Sequence, residues 1–229
     1  MMARSLNKTV AVGLVFLTAS LVPLGSASAT TSKPSTGVTF RAVLCFAPLA
    51  PAKPPFSKLA ALPECKPKYQ LTAKNIGVNP DNSASGFTSK NVKPDPRFLN
   101  FPDSSSAVHS LTSNLLLSGL NKSSKQRYVV GPARITSSSI KSAKAVKQSG
   151  QWVVTYVLTS KGSAKFDGLA KSQFHAYIAI VANGEVYSAP LMQPTSAHFS
   201  SFAGHGEVSG GFTKSQAQSL AQQMVTPNS

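Results

Sequence analysis

Apolar and polar positions alternate most clearly in the second half of the chain. Trp152, Val154, Tyr156 and Leu158 fall on one face and Val153, Thr155 and Val157 on the other. Both faces are apolar enough for a strand inside a sheet. The period then lengthens: Phe166, Leu169, Ala170 and Phe174 recur at i, i+3, i+4 and i+8, with Thr159 or Ser160 as N-cap and Lys161, Lys165 and Lys171 pointing outward, which predicts a helix. Next, Tyr177–Ala182 and Glu185–Ala189 flank Asn183-Gly184, the dipeptide best suited to the positive φ angles of a type I′ turn, so a β-hairpin is expected. A looser stretch with His198 and His205 leads to a short strand at Glu207–Ser209. A last helix follows, capped by Thr213 with Gln216 completing a capping box and Ala217, Leu220, Ala221 and Met224 as its buried stripe. The order β-α-β-β-β-α predicts an α+β fold, a two-layer sandwich of ferredoxin-like type with a mainly antiparallel sheet.

The first half reads differently. Eleven of the 16 prolines fall between Thr30 and Arg127, among Ser/Asn-rich stretches. Only Val38–Leu44 alternates well enough for a strand, while Val108–Leu120 allows a short helix or strand around Leu115-Leu116-Leu117. The expected division is therefore a loop-rich segment over 30–127 and a compact domain over 128–229. Ahead of both, Arg4 and Lys8 precede an apolar run from Thr9 to Leu24 that closes on Ala27-Ser28-Ala29. This pattern reads as a signal peptide over 1–29, cleaved after Ala29 or kept as a signal anchor. After residue 29 no apolar run approaches the length of a membrane span, so a secreted or extracytoplasmic chain is expected. Cys45 and Cys65, the only cysteines, are expected to pair there as a disulfide closing a loop of about twenty residues.

The chain of 229 residues carries 23 Lys+Arg against 7 Asp+Glu, a net charge of +16, which loss of Arg4 and Lys8 would lower by two. So few carboxylates leave little stock for acid/base pairs or hard-metal cages. The four histidines show no metal-ligand spacing. There is no nucleophile elbow, Walker loop or His-Glu-x-x-His. Gly204–Gly210 grazes a dinucleotide fingerprint but has Ser209 where the third glycine belongs. His205 and Glu207, separated by one residue in an expected loop, do not make an acid/base pair, so an enzyme, a cofactor and a metal are not expected. The surplus of cations suits anionic wall polymers or lipid headgroups. Nucleic acid is not expected, because the lysines are dispersed through Lys33, Lys74, Lys122 and Lys214 without interleaved aromatics. Lys141, Lys144 and Lys147 form the tightest basic run and read as a solvated face.

Trp152–Leu158, Gly162–Phe166, Ala179–Pro190, Gly206–Gly210 and Phe212-Thr213…Ala217…Leu220-Ala221, in this order and spacing, resemble the head part of the first large extracytoplasmic domain of SecD/SecDF. The hairpin ending in Ser188-Ala189-Pro190 is the most specific piece; Val130–Ala133 and Phe40–Leu44 add weaker support. The resemblance implies a role beside protein export, with emerging or unfolded polypeptide and Sec translocon components as partners. It does not carry over the proton-driven motor, which requires acidic residues inside membrane helices. Asn183 stands where the family usually has Asp. On this footing Asn183, Tyr187, Ser188 and Pro190 are the candidate binding residues. An antiparallel sheet edge that accepts an extended chain would supply the chemistry.

Overall fold

The computed structural model describes residues 37–49, 62–77, 92–104, 110–120 and 126–226; the expected signal peptide lies outside them. The described residues form eight strands and three α-helices: β1 (Thr39–Ala47), α1 (Ala73–Ile76), β2 (Leu115–Ser118), β3 (Arg127–Thr136), β4 (Ile140–Gln148), β5 (Gln151–Leu158), α2 (Ser160–Ser172), β6 (Ile178–Ala182), β7 (Glu185–Ser188), β8 (His205–Phe212) and α3 (Lys214–Val225). The α+β class and the order β5-α2-β6-β7-β8-α3 agree with the sequence reading. The strands, however, are shared between two sheets, one ordered β2-β3-β1-β6-β7 and the other β4-β5-β8. All strand pairs within them are antiparallel.

The division follows from β6. All five of its residues are buried, so it needs a partner on each side and cover on both faces. β1, apolar on both faces, supplies one side and β7 the other. Tyr128, where the texture of the sequence changes, lies inside β3. That strand pairs with β1 from the proline-rich half, so both halves build one sheet. β1 shifts register three times along β3, and these bulges turn its side chains toward three different clusters. Phe40 enters the main core with Tyr156, Phe166 and Leu220; Val43 joins Leu115, Val130 and Val181; Cys45 joins Phe98 and Leu116. Phe40 meets Tyr156 and Phe166 edge-on at 5.4 and 5.8 Å, a geometry that aromatic rings favour.

Both helices begin as expected. The Thr159 side chain accepts a bond from Gly162 N at 3.0 Å, and Thr213 with Gln216 forms the full capping box. α2 ends at Ser172, short of Phe174, which instead stacks on His175 and meets Phe199. α3 packs chiefly on β4 and β5. The Ser137 hydroxyl, in the β3–β4 turn, donates to Gln223 O at 3.0 Å and accepts from Val38 N at 2.8 Å, fastening α3 to the start of β1.

The loop-rich segment is held by a few strong ties. Cys45 and Cys65 form the expected disulfide. The fully buried Arg41 donates to the carbonyl oxygens of Gly131, Ser110 and Ser113 and to Thr39 Oγ1. Burial, with no carboxylate partner among the described residues, lowers its guanidinium to about 10. Arg127, also buried, pairs with Asp103 at 2.8 Å and donates to Pro48 O and Phe98 O. Burial alone would raise the Asp95 carboxyl, but hydrogen bonds from the Arg97 side chain and from the Lys66 and Arg97 N–H groups outweigh it and hold it below the usual range.

Candidate functional site

Whether this fold can take up an extended chain depends on which strand edges remain open. β2 is capped: Leu116 O accepts from Ser104 N at 2.8 Å and Leu116 N donates to Ser104 Oγ at 2.9 Å. Just beyond it, Gly119 bridges Val186 and Leu120 N donates to Val186 O at 2.9 Å, so the two ends of the five-stranded sheet meet. β7 also closes on the far half of β8, where the Ser188 hydroxyl donates to Ser209 O at 2.8 Å. β4, at the end of the smaller sheet, pairs only with β5 among the described strands. Five of its residues are exposed: Lys141, Ser142, Lys144, Lys147 and Gln148.

Sequence reasoning missed β4 because Ile140–Gln148 is rich in Ser, Ala and Lys and alternates only weakly. A signal was available beyond its end. Ser149 and Gly150 both have positive φ (47° and 83°), and a Ser-Gly pair between polar residues marks a tight hairpin turn. β3 was missed for another reason: Pro132 argues against a strand. It falls where the β1–β3 register shifts and beyond the last β2 pair, Leu115 with Val130, so its missing N–H breaks no regular ladder.

The four candidate residues of the hairpin lie together at the junction of the sheets. Asn183 (φ 50°) and Gly184 (φ 76°) make the expected turn. The Tyr187 ring packs on Phe212 at 6.2 Å, Ser188 bonds to β8, and Pro190 O accepts from Ile178 N at 3.2 Å. Each of these contacts has a structural use.

Away from α3, the smaller sheet presents an open face. The register aligns Lys144, Thr155 and Glu207 in one row and Ser142, Val157 and His205 in the next. These six residues line a groove of about 560 Å³. The strand expected at Glu207–Ser209 starts earlier, at His205, so His205 and Glu207 lie two positions apart on one face of β8, and His205 is not in the loop expected for it. A second cleft of about 370 Å³ lies beside the disulfide, between Val43, Glu64, Gln70, Thr72 and Gln173. Among the described residues no group of three His, Cys, Asp or Glu side chains could hold a metal, and no helix is long and apolar enough to cross a membrane. The described ion pairs are Arg97–Asp95 and Arg127–Asp103, and neither involves a lysine.

The family model of the SecDF P1 head subdomain matches residues 113–226. Protein translocase subunit SecD of Streptomyces coelicolor is 34% identical over 107 residues, 43% of this chain and 18% of the relative. The SecD subunit of Sebaldella termitidis is 32% identical over 92 residues, 40% of this chain and 21% of the relative. The chain thus spans about a fifth of the length of these relatives. Among solved structures, SecDF in its super-membrane-facing form has a TM-score of 0.43 and 16% identity, covering 84% of this chain and 19% of that one. SecDF described as a membrane component that enhances protein export has the same TM-score and identity, over 85% of this chain and 64% of that one. The sequence matches decide the assignment: this chain carries a SecD/SecDF head domain, of the P1 head subdomain family, in residues 113–226.

Proposed function

We propose that the chain is a non-enzymatic binding module that works beside protein export on the outer side of the membrane, where it holds extended polypeptide or meets components of the Sec translocon. The observation that carries this reading is the head-subdomain match over residues 113–226. The relatives that share it are named as subunits of protein translocase. The open edge of β4 adds a physical means, since main-chain hydrogen bonds along a strand edge do not depend on the client's sequence. Residues 1–29 act as the export signal in this reading. Asn183, Tyr187, Ser188 and Pro190 act as the hairpin's contribution to partner contact. The test is photo-crosslinking in intact cells with the probe on the β4 face. Recovery of unfolded secreted proteins or Sec components is expected, and recovery of neither would sink the reading.

A second reading is favoured by the uncompensated lysines. With a net charge of +16 and no described lysine paired to a described carboxylate, the chain would adhere to anionic wall polymers or lipid headgroups. Retention on cell envelopes should then fall steeply between low salt and physiological salt. Release into the medium at low ionic strength would exclude it.

A further inference from the structure

The β4 edge is not neutral. Lys141, Lys144 and Lys147 recur every third residue along its nine positions, and all three are exposed. From the first to the last is about 20 Å at ~3.3 Å per residue; Lys144 and Lys147 stand in regular register with β5, and Lys141 sits at the register shift between Ile140 and Ser142. Lysines on a sheet edge discourage indiscriminate strand pairing, so an incoming chain has to bring something that compensates them. Inside the protein little does so. Glu207 is the carboxylate on the face of Lys144, but Thr155 of β5 stands between them, which places it two strand spacings away, about 10 Å. A strand added outside β4 would lie one spacing away, about 4.8 Å. A carboxylate directly opposite a lysine across paired strands is a favourable cross-strand contact.

We propose that β4 is a strand-addition site selective for extended segments that carry a carboxylate at every third position, matching Lys141, Lys144 and Lys147. The proposal rests on the polypeptide-holding reading above and narrows it to a class of client. The main chain supplies affinity through the outward N–H and C=O groups of β4, and the three lysines supply register. Alternation of faces along a strand spreads these contacts over both sides of the added strand. The groove lined by Ser142, Lys144 and Thr155 leaves room for the side chains that fall on the open face.

The test uses the full chain and a fluorescent nine-residue peptide of Thr and Val with Asp at its first, fourth and seventh positions. Three controls accompany it: Asn in place of Asp, the same composition with the three Asp adjacent, and the Asp peptide N-methylated at alternate residues in either frame. Binding by the spaced Asp peptide is expected, with slowed amide exchange confined to residues 141–147. The Asn and adjacent-Asp peptides should bind about tenfold more weakly, as expected for three surface ion pairs. One N-methyl frame should bind no better than they do. The triple variant Lys141→Ser, Lys144→Ser, Lys147→Ser should lose the preference for spaced Asp. Equal binding of the spaced and adjacent peptides, equal binding of both N-methyl frames, or exchange slowed elsewhere would overturn the proposal. Crosslinking of unfolded clients with unchanged exchange in β4 overturns this edge and leaves the export reading standing. Failure to bind any unfolded chain overturns this edge, and with no Sec component recovered by crosslinking it overturns the export reading as well.

Discussion

At the scale of single residues, two glycines of one helix make opposite predictions. Gly162 sits in the first turn of α2, and a Cβ there would come within 2.2 Å of the Ser139 carbonyl oxygen and 3.0 Å of the capping hydroxyl of Thr159. Helix propensity favours alanine by about 1 kcal/mol, but the obstacle is backbone, fixed by the bond from Thr159 N to Ser139 O at 3.0 Å. Overpacking therefore wins, and Gly162→Ala should destabilise by ~1–3 kcal/mol. Gly168, further along the same helix, is exposed, and a Cβ added there would meet nothing within 4 Å. Gly168→Ala should stabilise by up to about 1 kcal/mol. Urea unfolding of the two variants checks both signs. Asp95 sets a pH limit. Its carboxyl is held below the ordinary value in the folded state, so the unfolded chain binds more protons as the pH falls through the carboxylate range. Stability from this group is present above the unfolded value near 3.8 and is lost below it. Asp95→Asn should flatten the fall of Tm at acid pH while lowering Tm at neutral pH, because Arg97 then lacks its charged partner. A variant with the wild-type acid slope would assign that slope to other carboxylates.

At the scale of elements, what could be read from the sequence was what neighbours in the chain determine. The Asn183-Gly184 hairpin, the Thr213 capping box and the apolar stripes of α2 and α3 are local signals, and these elements stand where they were expected, except that α2 stops at Ser172, before the last residue of its stripe, Phe174. β3 and β4 are strands for non-local reasons. β3 is buried between β1 and β2 despite Pro132, and β4 is held by β5 and α3 despite a weak pattern. The assignment of β6 to the sheet of β1, and not that of β5, depends on pairing with residues over a hundred positions earlier in the chain, which no window around β6 contains. The candidate site suffered the same way: the hairpin was visible from its turn, whereas the β4 edge depends on which other edges are closed. The disulfide was legible by count alone. It joins β1 to the segment around Cys65 across 20 residues, a closure worth about 3 kcal/mol in the chain-entropy model. Replacing both cysteines with alanine should lower stability by about that amount and speed amide exchange first in residues 62–77. Exchange that rises equally in β5 would mean that the tie supports the whole fold.

At the scale of the whole molecule, the two sheets have separate ladders but shared cores. Phe40 of the larger sheet packs on Tyr156 of the smaller one, α3 is fastened to the start of β1 through Ser137, and β7 is bonded to β8 through Ser188. If these contacts couple the sheets, neither unfolds alone. The chain contains one tryptophan, Trp152, which lies in β5 of the smaller sheet near Lys214. Its fluorescence therefore reports on that sheet, while far-ultraviolet circular dichroism reports on both. Coincident thermal transitions from the two signals are expected, as for a single cooperative unit. Phe40→Ala tests the coupling directly. Removing a fully buried aromatic costs about 3–5 kcal/mol, and because its ring faces both β5 and α2, both signals should shift together. A tryptophan transition left behind while the dichroism moved would show that the smaller sheet, and the β4 edge with it, folds without the strand that joins the two halves of the sequence.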